Sequence, residues 1–458
     1  MLRTRSIANR WPARTADWCF AVAAGLFAGA YGWIVHRAGI HQITDSDLYR
    51  RIATEPFGFG VVFENKRPPL YPLIIRLCGG DLRLVVALQM AAYLGAWVLL
   101  GWTLYRPLRD AKRPGRALCL VACVFTAALY PEFAGWNHLV MTESLSLSGL
   151  VAELALIARA TLNGDRRSLL LAACLLAAGA LLRDTSLYLC LGMLLPVAVL
   201  TVRRAVPPGA AAGAALVLLA GSLSVQWSSD HVHHNPFAAR WVFPMLNVVG
   251  QRILPDPVAT ADFAAHGMPV GPTLLSMRGR FAHEGRIPNQ FWIDPELQGF
   301  RDWLVADGRS TYAGFLVRHP GFTLRRLWLD RADLFQATNY RLTAYPDTRY
   351  GPDALAGRSL YYDTNLPPRI PLLAAYAVGG LGSAALVASG MWRHDRRRLT
   401  AGLVTGSLFL LLFPLAVLAE HGDTMETARH AVMIPAQAVV VALLCVFLAL
   451  LPDPAIRR

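Results

Sequence analysis

The chain has 458 residues, of which 55% are hydrophobic and only 16% charged. A soluble domain of this size carries roughly a quarter charged residues, so a large water-soluble core is excluded in favour of a membrane protein. The net charge of +14 does not mark a nucleic-acid binder, because the basic residues punctuate apolar runs, as at Arg106–Arg116, Arg166–Arg167, Arg203–Arg204 and Arg393–Arg398.

In chain order, Arg3, Arg5, Arg10 and Arg14 precede a first apolar run, and no small-residue cleavage site follows it. The run is therefore read as a retained first helix. Apolar spans are expected at 17–37, 84–105, 117–131, 140–160, 168–182, 186–202, 209–228, 370–391, 400–419 and 431–451. Placing the basic clusters inside gives a cytoplasmic N-terminus, an outward first crossing and a cytoplasmic end at Arg457–Arg458. The segments 38–83, 131–139, 183–185, 229–369 and 420–430 then lie outside. In 38–83 the spacing of Leu48 and Ile52, and of Leu70, Leu73, Ile74 and Leu77, predicts short helices along the membrane surface. The segment 229–369 is rich in Trp, Arg, Pro and Asp, which predicts a folded, mostly helical domain. Within it, 311–335 reads as two amphipathic helices broken at His319-Pro320-Gly321.

The expected fold is all-α and polytopic, with about ten transmembrane helices. It divides into a transmembrane module over 1–228 that includes the first outer loop 38–83, an extracytoplasmic loop domain over 229–369, and C-terminal helices over 370–458. Cys19, Cys119, Cys123, Cys174, Cys190 and Cys445 lie in or at the edge of spans, and Cys78 borders one. With none in the long loop, they are expected to be small buried residues and not a disulfide or metal framework.

Polar residues at membrane depth are costly, so those that the topology gathers at one face mark candidate chemistry. The outer face receives Asp45, Asp47, Lys66, Arg67, Glu132, His138, Glu143, Arg183, Asp184 and the run Glu420–His430. In Ile43-Thr44-Asp45-Ser46-Asp47-Leu48-Tyr49, carboxylates at i and i+2 can hold a divalent cation such as Mg2+ or Mn2+, or one can act as a base. The competing reading is a helix cap, with Thr44 or Asp45 closing a helix that starts near Ser46. In Asn65-Lys66-Arg67-Pro68-Pro69-Leu70-Tyr71-Pro72, paired prolines fix two cations that can neutralise a phosphate or anchor the chain on anionic lipid. Arg183 either pairs with its neighbour Asp184 or meets an anionic headgroup. Glu426, Arg429 and His430 stand at helical spacing at the expected start of the last helix. His231, His233 and His234 lack the carboxylate motif of a metal site.

Taken as an ordered set, these motifs resemble the GT-C class of integral-membrane glycosyltransferases, which includes protein O-mannosyltransferases and lipid A aminoarabinose transferases. The resemblance runs over residues 17–230. It is carried by Asp45-Ser46-Asp47-Leu48-Tyr49, Lys66-Arg67-Pro68-Pro69-Leu70-Tyr71-Pro72, Pro131-Glu132 with Met141-Thr142-Glu143, and Leu181-Leu182-Arg183-Asp184-Thr185. It implies transfer of a sugar from a polyprenyl-phosphate donor, with inversion, to a glycan, lipid or protein acceptor outside the cytoplasm. By similarity Asp45 activates the acceptor, and Asp47 beside it serves as a second acid or metal ligand. Lys66, Arg67, Arg183 and Arg429 are then donor-phosphate ligands, with Tyr49, Glu132, His138, Glu143, Glu426 and His430 as further site candidates. The chain departs from the lipid A enzymes in having Lys66-Arg67 where they have Glu-Lys. The expected location is a bacterial inner membrane, the bacterial part resting on richness in Ala, Leu and Arg. Two other functions compete. One is a flippase of lipid-linked sugars, which would hold charges near mid-membrane. The other is an oligosaccharide polymerase or ligase, which would lack the acidic pair after the first helix.

Overall fold

The computed structural model describes residues 13–42, 44–282, 291–335, 369–422, 424 and 427–452. These residues fold into helices with no strand among them. Helix α1 (Ala13–Ala38) is followed by three short helices, α2 (Thr44–Thr54), α3 (Phe59–Phe63) and α4 (Leu70–Leu77). Short helices are what the periodicity of 38–83 predicts. Next come α5 (Leu82–Asp110), α6 (Pro114–Ala128), a short α7 (Pro131–Ala134), α8 (Thr142–Asn163), α9 (Arg166–Leu182), α10 (Ser186–Val202) and α11 (Pro208–Asp230). Among the described residues, seven helical segments are long and apolar enough to cross a membrane: Arg14–His36, Leu82–Asp110, Thr142–Asn163, Pro208–His234, Leu372–Trp392, Arg396–Gly422 and Met433–Leu450. The chain is therefore a multi-pass, all-α membrane protein. The predicted spans at 117–131, 168–182 and 186–202 correspond to the shorter helices α6, α9 and α10. The first of these breaks after Ala128 and bends by 58° into Glu132–His138.

Packing explains why α1 belongs to the bundle. Its Phe20 meets Trp102 and Tyr105, Phe27 stacks on Phe125 at 4.8 Å, and Tyr31 stacks on Tyr93 at 5.2 Å. Helix α5 packs between α6 and α8, α9 lies against α8 and α11, and α10 lies against α11.

Between α11 and the C-terminal helices stands a separate helical unit with its own core, centred on Phe263, Phe291, Phe300, Trp303 and Phe315. Its backbone closes tightly at Gly250, where a Cβ would lie 2.3 Å from the Arg280 carbonyl oxygen. The break predicted in 311–335 is present, with Arg309–Arg318 and Pro320–Leu329 meeting at His319, and Arg331–Phe335 adds a third short helix.

The last helices, Arg369–Trp392, Arg396–Leu410, Leu412–Gly422, Thr427–His430 and Met433–Leu450, complete the bundle. The first two cross at small residues: a Cβ on Gly402 would come within 2.7 Å of the Val387 backbone nitrogen. Such close backbone approach is how helices associate where lipid removes the hydrophobic drive. Thr427–His430 is a turn separate from Met433–Leu450. Arg429 and His430 therefore precede the last helix instead of opening it, correcting the sequence expectation.

The cysteine expectation also changes. Only Cys190 and Cys445 are buried, whereas Cys119, Cys123 and Cys174 are exposed on the bundle's outer surface and Cys19 and Cys78 are intermediate. A small, weakly polar side chain is tolerated facing lipid as readily as facing protein.

The two ends of the bundle differ in charge. At one end Asp17 of α1 binds Arg109 of α5, Arg113 reaches the Leu450 carbonyl, Arg203 reaches Thr400, and Arg397 reaches the Leu162 carbonyl. These contacts gather the basic clusters at a single end. The candidate site occupies the other.

Candidate functional site

The site is assembled by backbone contacts between segments that are distant in sequence. The amide of His41 donates to the His138 carbonyl, and the amide of Val140 donates to the His41 carbonyl. The Ser46 hydroxyl donates to the Val140 carbonyl at 2.9 Å. Together they fix the first turn of α2 beside the first turn of α8. The Gln89 side chain reinforces this arrangement. It accepts from the Tyr71 hydroxyl at 2.6 Å and donates to the Asn137 and Leu139 carbonyls. Asn137 in turn accepts from Ser144 at 2.5 Å. Each member of this network is buried, which makes unmatched polar atoms costly and the network correspondingly specific.

On this frame sits a cluster of opposed charges. Asp45 binds Arg67 through one carboxylate oxygen and Arg429 through the other, the latter at 2.9 Å. Arg429 also binds Glu143. Arg183, the residue at which α9 ends, reaches Glu143 at 3.5 Å, the Arg429 carbonyl at 3.2 Å and His430 Nδ1 at 3.0 Å. A guanidinium can only donate, so Nδ1 accepts and the His430 ring is neutral. Burial holds its pKa well below the ordinary histidine value, and Arg183 and Arg429 lower it further. Among the described residues, three guanidiniums here face two carboxylates.

Access is graded. The Glu143 side chain is fully buried and those of Arg183 and Arg429 are 8% exposed, whereas Asp45 is 19% and Arg67 33% exposed. A ligand from outside therefore meets Arg67 and Asp45 first. Burial pushes the Asp45 carboxyl up, but Arg429 and Arg67 more than offset this and hold it below the ordinary range. Burial likewise pushes the Arg67 guanidinium down, and Asp45 more than restores it. Tyr49 lies beneath Arg67, its ring centroid 5.7 Å from the guanidinium carbon, in cation–π range.

Seven residues singled out in the sequence converge here: Asp45, Tyr49, Arg67, Glu143, Arg183, Arg429 and His430. His138 and Glu132 are buried in the adjoining bent segment, His138 with its ring 5.0 Å from that of His41. Glu426 lies outside the described residues.

The structure separates residues that stand together in the sequence. Asp47 does not share a site with Asp45, because residues two apart on an α-helix project about 200° apart. It faces Arg50 at 3.7 Å on the far side of α2. The two carboxylates therefore do not meet at one point, and the described residues contain no group of three His, Cys, Asp or Glu able to hold a metal. Helix α2 starts at Thr44, so Asp45 lies within its first turn, with its carboxylate engaged by Arg67 and Arg429. Asp184 does not pair with Arg183 but takes Arg240 in a two-pronged contact of 2.9 and 3.0 Å. Lys66 is solvent-exposed beside the cluster, and the structure gives its side chain no contact with Asp45.

Arg240 was not legible beforehand. It also donates to the Asn65 carbonyl and Ser228, tying the helical unit to the site. A second clasp joins Arg252 to Glu420 and the Tyr312 hydroxyl to His421 Nδ1 at 2.9 Å. Of His231, His233 and His234, the last meets Glu64 at 3.1 Å and the first stacks on Trp227. Glu153 is a further buried carboxyl, ten residues beyond Glu143 on α8, with no cation paired to it among the described residues. Compared with family models, with curated proteins and with solved structures, the chain matches none.

Proposed function

We propose that this protein is an inverting glycosyltransferase that moves a sugar from a polyprenyl-phosphate donor to an acceptor on the extracytoplasmic side of a bacterial inner membrane. The topology that goes with it has about ten crossings, with α6, α9 and α10 crossing as helices of 15–17 residues where the bilayer thins locally. The basic end then faces the cytoplasm and the charge cluster faces out.

The observation that carries the reading is the convergence of Asp45, Arg67, Glu143, Arg183 and Arg429 at one end of the bundle. A sugar joined to a lipid phosphate is a phosphodiester monoanion, a charge that arginines at such a site can meet. The arginine forks suit phosphate oxygens, and their depth suits a headgroup whose tail stays in hydrocarbon. In the reaction the acceptor hydroxyl attacks the anomeric carbon and its proton passes to Asp45. The bond from that carbon to the phosphate oxygen breaks, and polyprenyl phosphate leaves as a dianion stabilised by the arginines. A single carboxylate base, with no second one acting as nucleophile, gives inversion.

Asp45 held between two guanidiniums is a weak base. The incoming phosphate competes for those guanidiniums, so donor binding frees the carboxylate that the chemistry needs. No metal is required by this scheme.

Glu153 favours one alternative, because a carboxyl deep in the bundle suits a flippase of the same lipids. One assay separates the readings. The purified protein in proteoliposomes is given polyprenyl-phosphate-linked sugars and an extract of envelope glycans and lipids. A transferase releases polyprenyl phosphate, and Asp45→Asn abolishes the release. Translocation of intact donor without release supports the flippase, and consumption of diphosphate-linked donors alone supports a polymerase or ligase.

A further inference from the structure

Helix α2 separates two different environments. Its buried side carries Asp45, Tyr49 and Ile52, whereas Asp47, Arg50, Arg51 and Thr54 recur at i, i+3, i+4 and i+7 along the other. That second stripe, with Ala53, forms one wall of a cavity of about 640 Å3 whose opposite wall is Ile75, Arg76, Gly79 and Gly80 at the end of α4. Both glycines have positive φ, at 64° and 78°, and a Cβ on either would meet nothing within 4 Å. The α4 end is therefore a bare backbone floor that L side chains would strain.

The cavity is cationic. Arg50, Arg51 and Arg76 face one carboxylate, Asp47. Arg50 spans Asp47 at 3.7 Å and the Gln42 amide oxygen at 3.0 Å, both contacts being exposed. Arg76 donates to the Glu55 carbonyl at 2.7 Å and lies over the Phe57 ring, which orients its fork without neutralising it. Its depth is set by the next helix, since α5 begins only two residues after Gly80 and exposes Leu84 and Leu88 along its outer face. Leu77 follows Arg76 in the chain and Phe57 lies under the Arg76 guanidinium, and both are exposed, at 78% and 66%. An anionic head with apolar chains matches this combination of exposed guanidiniums and neighbouring exposed apolar side chains.

We propose that the α2–α4 cavity binds the phosphate of an amphiphile at headgroup depth, as a site distinct from the Asp45 cluster. The inference does not depend on the glycosyltransferase reading, because the two sites lie on opposite sides of α2 and share no residue. Arginine rather than lysine on all three positions gives two-pronged contacts to phosphate oxygens.

The test uses the full chain in neutral detergent with added phosphatidylglycerol or phosphatidylcholine, and counts retained lipid by native mass spectrometry. The variant Arg50→Gln/Arg51→Gln/Arg76→Gln removes three exposed charges and spares the Asp45 cluster. Arg166→Gln/Arg167→Gln/Arg204→Gln removes as many from the other end of the bundle. The site variant should retain about tenfold less phosphatidylglycerol, the loss expected for even one charge-assisted contact, with phosphatidylcholine unchanged. The control variant should retain phosphatidylglycerol as the parent does. Displacement of phosphatidylglycerol by excess inorganic phosphate would show that the phosphate group alone fills the site, and resistance to it would show that the chains contribute. Equal retention by the site variant and the parent, or equal loss in both variants, would overturn the proposal.

Discussion

Asp45→Asn separates binding from chemistry at the candidate site. The substitution keeps the shape and an acceptor oxygen but removes the charge that now engages Arg67 and Arg429. Losing that carboxylate makes the cluster one charge more positive. A phosphodiester that enters the parent protein must displace Asp45 from at least one arginine, a charge-assisted contact worth about 1.5–3 kcal/mol. Because Asp45 and Arg67 are partly exposed, water screens the pair and the lower half of that range applies. At 1.4 kcal/mol per decade, polyprenyl phosphate should bind roughly tenfold more tightly to the variant. Turnover should nevertheless fall by about 10²–10⁴-fold, since the proton acceptor is gone. Tritiated polyprenyl phosphate binding to protein in nanodiscs measures the first effect, and its release from the sugar-linked donor measures the second. Weaker binding in the variant would refute the competition between carboxylate and phosphate. Turnover close to that of the parent would refute Asp45 as the base.

The same competition gives a pH signature. Asp45 is held below its ordinary value of 3.8 in the free protein, so its ion pairs persist through neutral pH and are lost only as pH falls through that lowered pKa. The acid limb of kcat/KM from this group should therefore lie below pH 3.8, while that of kcat should lie higher, because arginines engaged by donor phosphate no longer depress it. Coincident limbs in a pH–rate study would contradict this. Arg183 contacts Glu143, His430 and the Arg429 carbonyl with a fork that lysine cannot copy, so Arg183→Lys should lower turnover nearly as far as Arg183→Ala, by about 10–100-fold. Asp184→Ala should instead loosen the Arg240 clasp and leave donor affinity unchanged, and an equal loss of affinity in both variants would argue against separate roles. For orientation, Ile293→Cys in the helical unit, 75% exposed, should react with an impermeant maleimide on intact cells, and Arg166→Cys at the basic end only after the membrane is opened. The reverse pattern would invert the topology.

The sequence by itself determined the elements whose signals are local. Length and apolar composition located the long apolar helices, and spacing in 38–83 revealed the short helices there. His319-Pro320-Gly321 marked the break inside the helical unit. Basic clusters assigned the helix ends, and by grouping the opposite ends the topology brought Asp45, Arg67, Glu143, Arg183 and Arg429 to one face. Each of these signals depends on residues a few positions apart, or on a bilayer that admits only whole crossings.

Who pairs with whom was decided by the tertiary structure. Arg429 and Glu143 are 286 residues apart, and Arg240 and Asp184 are 56 apart. Nothing in either local motif favours those partners over Asp184 for Arg183. Asp45 and Asp47 look like a unit in the sequence because they are neighbours there, yet a helix turns them to opposite sides. An ion pair is chosen by the distance between charges, and once helices pack, that distance is set by crossing angle, rotation and register, not by separation along the chain.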